Sequence, residues 1–212
     1  NQYVERFNIE NSEAILAGDA DALSCSSSEF IEKASGIKSR YVMSKDDILN
    51  IDLMRPSIKQ RANDVISSQA EIGVAAAKQA IEAANKKPED IDLVIVACAY
   101  TERSYPAIAI EIQNALGCSG WGFDMLVACS AATFGIINAA NAIRSGTAKT
   151  VLVINPEILS PQINYRDRDS HFIFGDVATA LIIENEATAS SDHCLKIIAE
   201  QPITKFSNNI RS

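Results

Sequence analysis

The sequence predicts an α/β protein with a mixed, mostly parallel sheet flanked by helices. Three apolar, β-rich runs, IDLVIVACAY, GFDMLVAC and KTVLVINPE, are separated by segments whose apolar residues have helical spacing. Each run is almost continuously apolar, which is typical of strands buried on both faces of a sheet. The alternation of strands and helices favours parallel pairing through right-handed crossovers.

Composition indicates a globular protein and argues against several function classes. The 212 residues are 47% hydrophobic and 22% charged, which is enough apolar material for a sizeable core. The net charge of −8 argues against the basic footprint of a nucleic-acid-binding protein. No apolar run approaches the ~20 residues of a membrane span, and no signal peptide is recognisable. The five cysteines form no CxxC pair, which indicates neither a metal site nor a disulfide framework and favours a reducing cytoplasm.

The segments before the first strand are predicted to be mainly helical. Residues 1–25 are expected to form helix and loop. SSSEFIEKASG predicts a short helix in which Ser26 and Glu29 form a capping box and Gly36 supplies the end. DVISSQAEIGVAAAKQAIEAAN predicts a long helix over residues 64–85, which KKPED ends.

Two helices are predicted between the strands. Pro106 is suited to the first turn of PAIAIEIQNALG, and Gly117 to its end. SAATFGIINAANAIRSG is predicted to be a helix that ends at Gly146, with Arg144 in its last turn, where the helix dipole favours a cation.

The remainder of the chain is predicted to be loops and further strands. A polar loop is expected over residues 159–170, followed by strand material in HFIFGDVATALIIEN with a break at Gly-Asp. EATASSD, which precedes His193, is expected to be a solvated surface turn, and CLKIIAE a last strand. The chain stops at SNNIRS, which reads as a polar loop without a terminal element.

One cysteine stands where a strand is predicted to lead into a helix. In DMLVACSAATFGI, Cys129 follows the apolar run and precedes small residues. A helix N-terminus has unpaired N–H groups and a partial positive charge, which stabilise a thiolate and a developing oxyanion. The turn resembles a nucleophile elbow at the carboxyl end of a strand, where α/β proteins bind ligands. Most isolated cysteines are buried and inert, so these observations leave Cys129 open as a core thiol or a nucleophile.

Five segments in order resemble the β-ketoacyl-ACP synthase III family of the thiolase-like superfamily. They are FIEKASGIKSR, YPAIAIEIQNALG, FDMLVACSAATFGI, AKTVLVINPEIL and RDRDSHFIFGDVATALIIE. The resemblance implies a thiolase-like N-terminal half over residues 1–187 and the start of a second half over 188–212. It also implies that the family's opening strand and its catalytic His and Asn lie outside these residues, so that the 212 residues alone are expected not to condense substrates.

The resemblance implies a decarboxylative Claisen condensation in fatty acid biosynthesis. Cys129 would accept an acyl group from an acyl-CoA primer, and the carbanion from malonyl-ACP would attack that group. The Cys129 N–H would form half of the oxyanion hole. The implied partners are acyl carrier protein and a second copy of the chain in a homodimer. CoA and phosphopantetheine thioesters would be substrates, and no cofactor or metal is implied.

The resemblance also implies roles for residues outside the cysteine segment. Phe174, Gly175 and Asp176 would form the floor of the active site, although Asp176 is equally suited to accepting backbone N–H groups at a tight bend. Tyr105 matches the position that enters the partner's acyl pocket. Phe30 falls where the family stacks an aromatic ring on the adenine of CoA.

Two departures favour a divergent subgroup. Ala34 replaces an arginine that helps to hold CoA in the best-known members, and the polar segment before Phe30 is longer than usual. We interpret both as favouring acyl primers longer than acetyl, such as octanoyl.

Several charged residues have two interpretations. Arg166 and Arg168 alternate with aspartates, which indicates either a solvated, self-paired loop or a phosphate contact at the cofactor entrance. Lys38 and Arg40 are either ordinary surface charges or an attraction for an acidic carrier protein. His171 is expected to order its loop or cap the following strand, and the alternative is a base paired with the nucleophilic cysteine.

The other cysteines and Asp124 are expected to be structural. Cys98 is predicted to lie in the core, Cys118 and Cys25 in turns and Cys194 at a strand start, and Asp124 is expected to bond to neighbouring backbone.

Two alternative functions stay open. One is another thiolase-like acyltransferase or head-to-head condensing enzyme, and the other is an inactive carrier-binding scaffold of the same fold.

Overall fold

The computed structural model describes residues 2–19, 25–191 and 194–207. Within these ranges the α-helices are α1 (Gln2–Leu16), α2 (Ser28–Ser35), α3 (Lys45–Leu49), α4 (Ser68–Ala83), α5 (Ile108–Leu116) and α6 (Ala131–Arg144). The strands are β1 (Leu93–Cys98), β2 (Trp121–Leu126), β3 (Thr150–Ile158) and β4 (Asp176–Glu184). The predicted solvation of His193 and most of the predicted terminal loop lie outside the described residues. No helix in the described part of the chain is long and apolar enough to cross a membrane.

The four strands form one sheet in the order β2-β1-β3-β4. β1 pairs in parallel with β2 and with β3, so that Ile95 lies between Phe123 and Val153. This pairing confirms the α/β class and the mostly parallel sheet. Every residue of β1 is buried, as its continuous apolar run predicts.

The prediction that β2 is buried on both faces is wrong. Its residues are exposed or half-buried, with Trp121 47% and Leu126 56% exposed. β2 stands at one end of the strand order, so among the described strands only β1 lies beside it. An apolar run shows that burial is favoured, but it cannot show whether covering residues lie within the same stretch of chain.

The described residues divide into two compact units. The first comprises Asn1–Gln69 and Pro156–Ala178, and the second comprises Ala70–Asn155 and Thr179–Ser212. The predicted division into residues 1–187 and 188–212 stays a prediction.

The core of the first unit is a small cluster formed by α1, α3 and the loop after β3. Phe7, Ile48, Met54 and Tyr165 are buried together, and Tyr3 packs against them. The polar N-terminal segment therefore contributes a packed helix, which agrees with the expectation of helix before residue 25.

The core of the second unit lies between β1, β3 and α6. Its buried members include Ile95, Val153 and Ala139. Gly135 lets α6 approach the sheet closely, because a Cβ atom there would lie 2.7 Å from Cγ1 of Val153.

The helix ends follow the predicted chemistry with local shifts. Gly36 and Gly117 end α2 and α5 in the left-handed conformation, as predicted. The N-cap of α2 is Ser27 and not Ser26, since Oγ of Ser27 accepts from the Phe30 N–H at 3.0 Å. Adjacent serines offer the same capping chemistry, so sequence alone did not distinguish them.

Three other boundaries differ from the predictions. The helix predicted from residue 64 begins at Ser68, and Pro106 lies outside α5, which begins at Ile108. Residues 171–175 do not join β4, so the strand begins at the aspartate of the predicted break.

The strand predicted for residues 194–200 does not form. Leu195 is 99% and Ile198 91% exposed, so these side chains pack on no described surface. Alternating apolar residues indicate strand propensity, but a strand also needs a hydrogen-bonded neighbour, which the pattern does not supply.

Candidate active site

Cys129 lies in the second unit, at the turn that joins β2 to α6. It is the middle residue of a 3₁₀ turn over Ala128–Ser130, and α6 begins directly afterwards. Hydrogen bonds from Val127 N to Cys98 O (3.3 Å) and from Ser130 N to Val127 O (3.1 Å) hold the turn. The side chain of Cys129 is exposed, so the interpretation as a buried core thiol is wrong for the described structure.

The residue before the cysteine has a strained backbone. Ala128 has a φ of 45°, in the left-handed region that residues other than glycine rarely adopt. Such a conformation costs about 1–3 kcal/mol and persists only where surrounding contacts impose it. A sharp strand-to-helix turn presents the side chain of Cys129 at the carboxyl end of β2, as expected of a nucleophile elbow.

Asp124 links β2 to the start of α5. Its carboxylate accepts hydrogen bonds from Ile108 N at 2.7 Å and from Ala109 N at 2.8 Å. These N–H groups belong to the first turn of α5, whose N-cap residue, Ala107, makes no side-chain cap. Burial raises the pKa of the Asp124 carboxyl, while the two hydrogen bonds oppose this effect. The expected bond to nearby backbone is confirmed, although the groups it joins are distant in sequence.

Tyr105 lies in the same unit, just before α5, and its side chain is 91% exposed. Arg103 and Glu111 flank it along the chain and form a buried ion pair at 3.0 Å. The pair ties the loop that bears Tyr105 to α5. The exposure of Tyr105 leaves its predicted entry into a partner's acyl pocket sterically possible, and that entry stays a prediction.

Phe30 and Arg168, which the sequence placed at the cofactor entrance separately, meet in the first unit. The guanidinium carbon of Arg168 lies 3.6 Å from the centroid of the Phe30 ring, a cation–π arrangement. Phe172 meets the same ring edge-on at 6.0 Å, and Arg168 Nε donates to Cys25 O at 3.1 Å. One aromatic face and one planar cation therefore form a small stacking platform.

Arg166 has other partners. Its Nε donates to Oε1 of Glu10 at 2.6 Å, and its terminal nitrogens reach the carbonyls of Ile51 and Leu53 at 3.3 and 3.4 Å. The self-paired interpretation of the RDRD segment is therefore incomplete for Arg166, whose partners lie elsewhere in the first unit. Nothing in the sequence pointed to Glu10, which is 156 residues away.

Asp176 joins three segments of the first unit. Its Oδ2 accepts from Met43 N at 2.8 Å and from Ser160 Oγ at 2.6 Å, and its Oδ1 accepts from Ser160 N at 2.8 Å. Its own N–H donates to Tyr41 O at 2.8 Å. The interpretation of Asp176 as an acceptor of backbone N–H groups is confirmed.

Gly175 and Phe174 precede this aspartate and differ in packing. A Cβ atom at Gly175 would lie 2.7 Å from the Tyr41 carbonyl oxygen, so this close approach of two backbones requires glycine. Phe174 is 45% exposed. Their predicted part in the floor of the active site stays a prediction.

His171 is buried within the first unit and orders it, as the sequence suggested. Its Nε2 lies 3.1 Å from Ser26 Oγ, and its ring packs against those of Tyr3 and Phe7 with centroids 4.7 and 4.9 Å away. Burial lowers the pKa of His171 to about 4. The side chain is therefore neutral at neutral pH.

We expect the free energy of unfolding to fall as the pH is lowered from 7.5 to 5. The unfolded chain binds a proton on histidine near pH 6.5, whereas native His171 binds one only near about 4. The unfolded state therefore gains protons first, and the loss attributable to His171 is about 2 kcal/mol at pH 5. Urea unfolding at the two pH values measures it. His171→Phe should reduce this dependence, and an unchanged slope in that variant would contradict the assignment.

The remaining candidate residues have local explanations. Lys38 pairs with Glu32 at 3.3 Å on the surface, and Arg40 donates through Nε and Nη2 to Ile173 O at 3.1 and 2.7 Å. Cys98 is buried as predicted, and burial raises the pKa of the Cys118 thiol to about 11. Among the described residues no group of three potential metal ligands occurs.

Comparison with known proteins shows which fold has this arrangement. A cysteine at a strand-to-helix turn of a mostly parallel sheet, with this order of elements, defines a thiolase-like fold. 3-Oxoacyl-[acyl-carrier-protein] synthase III from Aquifex aeolicus matches 76% of the chain with a TM-score of 0.62 and 30% identity, over 46% of its own length.

Sequence comparison shows similarity to the same family. The model of the 3-oxoacyl-[acyl-carrier-protein] synthase III family matches residues 123–199, which include Cys129. The β-ketodecanoyl-[acyl-carrier-protein] synthase of Pseudomonas aeruginosa is 52% identical over the whole chain, and the β-ketoacyl-[acyl-carrier-protein] synthase III of Agrobacterium fabrum is 36% identical over 77% of it. The chain is therefore similar to synthases of this type, and the family match covers the segment that carries Cys129. The chain spans 61% and 46% of the lengths of these two relatives.

Proposed function

We propose that the protein of which these residues form part is a condensing enzyme of the synthase III type that acts in fatty acid biosynthesis. The observation that carries the proposal is the exposed Cys129 at the strained turn between β2 and α6. Among the described cysteines, only Cys129 lies at the start of a helix that connects two strands of the sheet.

The proposed reaction has two stages. The Cys129 thiolate attacks the carbonyl carbon of an acyl thioester, and the CoA thiolate leaves as the acyl–enzyme bond forms. Malonyl-ACP then loses CO2, and the resulting carbanion attacks the acyl carbon and expels the Cys129 thiolate. The N-terminus of α6 favours negative charge, and backbone N–H groups at the turn would stabilise the oxyanion of both stages.

We propose an acyl primer longer than acetyl. The name of the Pseudomonas relative specifies a ten-carbon product, β-ketodecanoyl-ACP. Condensation with malonyl-ACP adds two carbons after loss of CO2, so a product of that length requires an octanoyl primer. The replacement of the family's CoA-binding arginine by Ala34 supports the same proposal, since it changes the CoA end of the site.

Incubation with octanoyl-CoA or acetyl-CoA and intact-mass spectrometry tests the primer length. We expect the octanoyl adduct on Cys129 to form at least about tenfold faster, since extra methylenes in an apolar pocket are worth about 1–3 kcal/mol. A clear preference for acetyl-CoA would refute the proposed length while leaving the reaction class intact.

The stacked pair of Phe30 and Arg168 is proposed to bind the adenine of CoA. We expect Phe30→Ala to lower kcat/KM for acylation by octanoyl-CoA about tenfold, since stacking of a base on an aromatic ring is worth about 1–3 kcal/mol. The rate with octanoyl-N-acetylcysteamine, which lacks adenine, should be unchanged. Lys33→Ala, on the same helix, is the matched control. Equal losses with both thioesters would refute adenine stacking.

We also propose a homodimer in which β2 meets its counterpart and Tyr105 reaches the partner's acyl pocket. The apolar, exposed Trp121 and Leu126 on an end strand support this, since unpaired edges pair readily with another chain. Light scattering after size exclusion tests it, and a monomer at micromolar concentration would refute it.

Acyl carrier protein is the proposed carrier partner, with Lys38 as a candidate contact. Five free thiols support a cytoplasmic location.

A further inference from the structure

A cavity of about 590 Å³ lies entirely within the first unit. It is lined by residues of α1, α2, α3, the segment 37–42 and the loop after β3. Of the residues named for the proposed function, Phe174 and the candidate carrier contact Lys38 line it. Its volume is within the range of ~300–1,000 Å³ that small-molecule sites occupy.

One buried polar atom on each of two lining residues lacks a hydrogen-bond partner. The hydroxyl of Tyr165 and Nδ1 of His171 form no hydrogen bond to any described residue, although these residues are only 5% and 2% exposed. An unpaired buried polar group costs about 1–3 kcal/mol, so a bound partner would be favoured. Burial raises the pKa of Tyr165 to about 12 and lowers that of His171 to about 4. Both are therefore neutral, which suits a hydroxyl or carbonyl group better than an ion.

The charged lining residues are mainly cationic. Lys38, Arg40 and Lys45 are opposed by Glu32 alone among the charged lining residues, a local balance of 3 − 1 = +2 in a chain of net charge −8. Arg40 is engaged with a backbone carbonyl and Lys38 with Glu32 on the surface, whereas Lys45 extends from the first turn of α3. Such a local excess of positive charge attracts an anionic group to the mouth of the cavity.

The walls between these polar groups are apolar. Ile31 and Ile48 are buried, and Val42 and Leu49 are half-buried beside them. A ligand that matches the whole lining therefore has an anionic head, an aliphatic body and a neutral oxygen on that body.

We propose that this cavity binds a fatty carboxylate that carries a hydroxyl or oxo group on its chain. The carboxylate lies near Lys38 and Lys45, the chain packs on Ile31 and Ile48, and the second oxygen pairs with the Tyr165 hydroxyl or with His171. Cys129 does not line this cavity, and binding there needs no acyl transfer. The proposal therefore does not rest on the proposed reaction.

Isothermal titration calorimetry of the full protein with three ten-carbon probes tests the proposal. We expect 3-hydroxydecanoate or 10-hydroxydecanoate to bind about fivefold more tightly than decanoate, which is the value of one hydrogen bond. Tyr165→Phe should remove this advantage and leave decanoate binding unchanged. The double variant Lys38→Ala, Lys45→Ala should weaken all three acids, whereas Lys33→Ala, on α2 but outside the lining, should not.

Iodoacetamide capping of Cys129 in a variant that carries Cys25→Ala and Cys194→Ala separates this cavity from the proposed active site, because these two cysteines are also free and exposed. Binding should persist after capping, and its loss would place the ligand at Cys129 and overturn the proposal. Equal binding of decanoate and both hydroxy acids, or no binding of any, would also overturn it. Circular dichroism checks the fold of Tyr165→Phe, and His171→Leu provides a second variant that removes the other unpaired atom.

Discussion

Cys129→Ala is expected to abolish acylation of the protein by acyl-CoA. Replacement of the thiol removes the covalent route, so the rate of adduct formation should fall by roughly 10³-fold or more. The exposed position of Cys129 at the turn before α6 is the physical reason, since substrate can reach it and the helix terminus favours the developing charge. Intact-mass spectrometry after incubation with octanoyl-CoA measures the adduct directly.

The other exposed cysteines provide matched controls. Cys25→Ala and Cys194→Ala should retain the adduct, because both are free and exposed but neither directly precedes a helix of the sheet. An adduct that survives in Cys129→Ala and disappears in either control would move the nucleophile elsewhere. A full-length protein that forms no adduct at all would favour the inactive scaffold over the condensing enzyme.

Asp176→Ala is expected to lower the free energy of unfolding by about 3 kcal/mol or more. The carboxylate accepts hydrogen bonds from Met43 N, Ser160 N and Ser160 Oγ, and its removal leaves these donors without the acceptor. Hydrogen bonds to a charged group contribute about 1.5–3 kcal/mol each, and unpaired buried donors add a desolvation cost. Urea denaturation monitored by circular dichroism gives the value.

Asp176→Asn and Asp169→Ala distinguish the hydrogen bonds from other effects. The amide of asparagine keeps one acceptor oxygen but presents an NH2 group to a donor, so we expect an intermediate loss. Asp169 lies in the loop that precedes β4 and has an 86% exposed side chain, so its removal should change stability by less than about 0.5 kcal/mol. A loss for Asp169→Ala as large as that for Asp176→Ala would show that the charge of the loop, and not the three hydrogen bonds, stabilises the segment.

Local signals in the sequence predict the structure correctly where one short segment contains the whole cause. The buried strand β1 follows from a continuous apolar run, and the ends of α2 and α5 follow from Gly36 and Gly117. Where the cause lies elsewhere in the chain, the sequence was insufficient. The partial exposure of β2, the absence of a strand over residues 194–200 and the contact of Arg166 with Glu10 all depend on neighbours that no local pattern identifies.

At the candidate site, too, some features were predictable from the sequence and others only from the structure. The placement of Cys129 between a strand and a helix was evident from the order of residue types, and the structure added its exposure and the positive φ of Ala128. Phe30 and Arg168 are candidates on independent grounds in the sequence, and only the structure shows that the two side chains are in contact. The unpaired hydroxyl of Tyr165 gave no signal in the sequence, because tyrosines pack in many cores without any binding role.

The sequence by itself determined the alternation of strands and helices, the mostly parallel sheet and the turn that carries Cys129, because apolar periodicity and helix-ending residues act over a few neighbouring positions. Only the tertiary structure decided which charges are paired, which strand has an exposed face and which polar atoms are buried without partners. These properties depend on residues more than 100 positions apart, such as Asp176 with Met43 and Arg168 with Phe30, and packing alone brings such residues into contact.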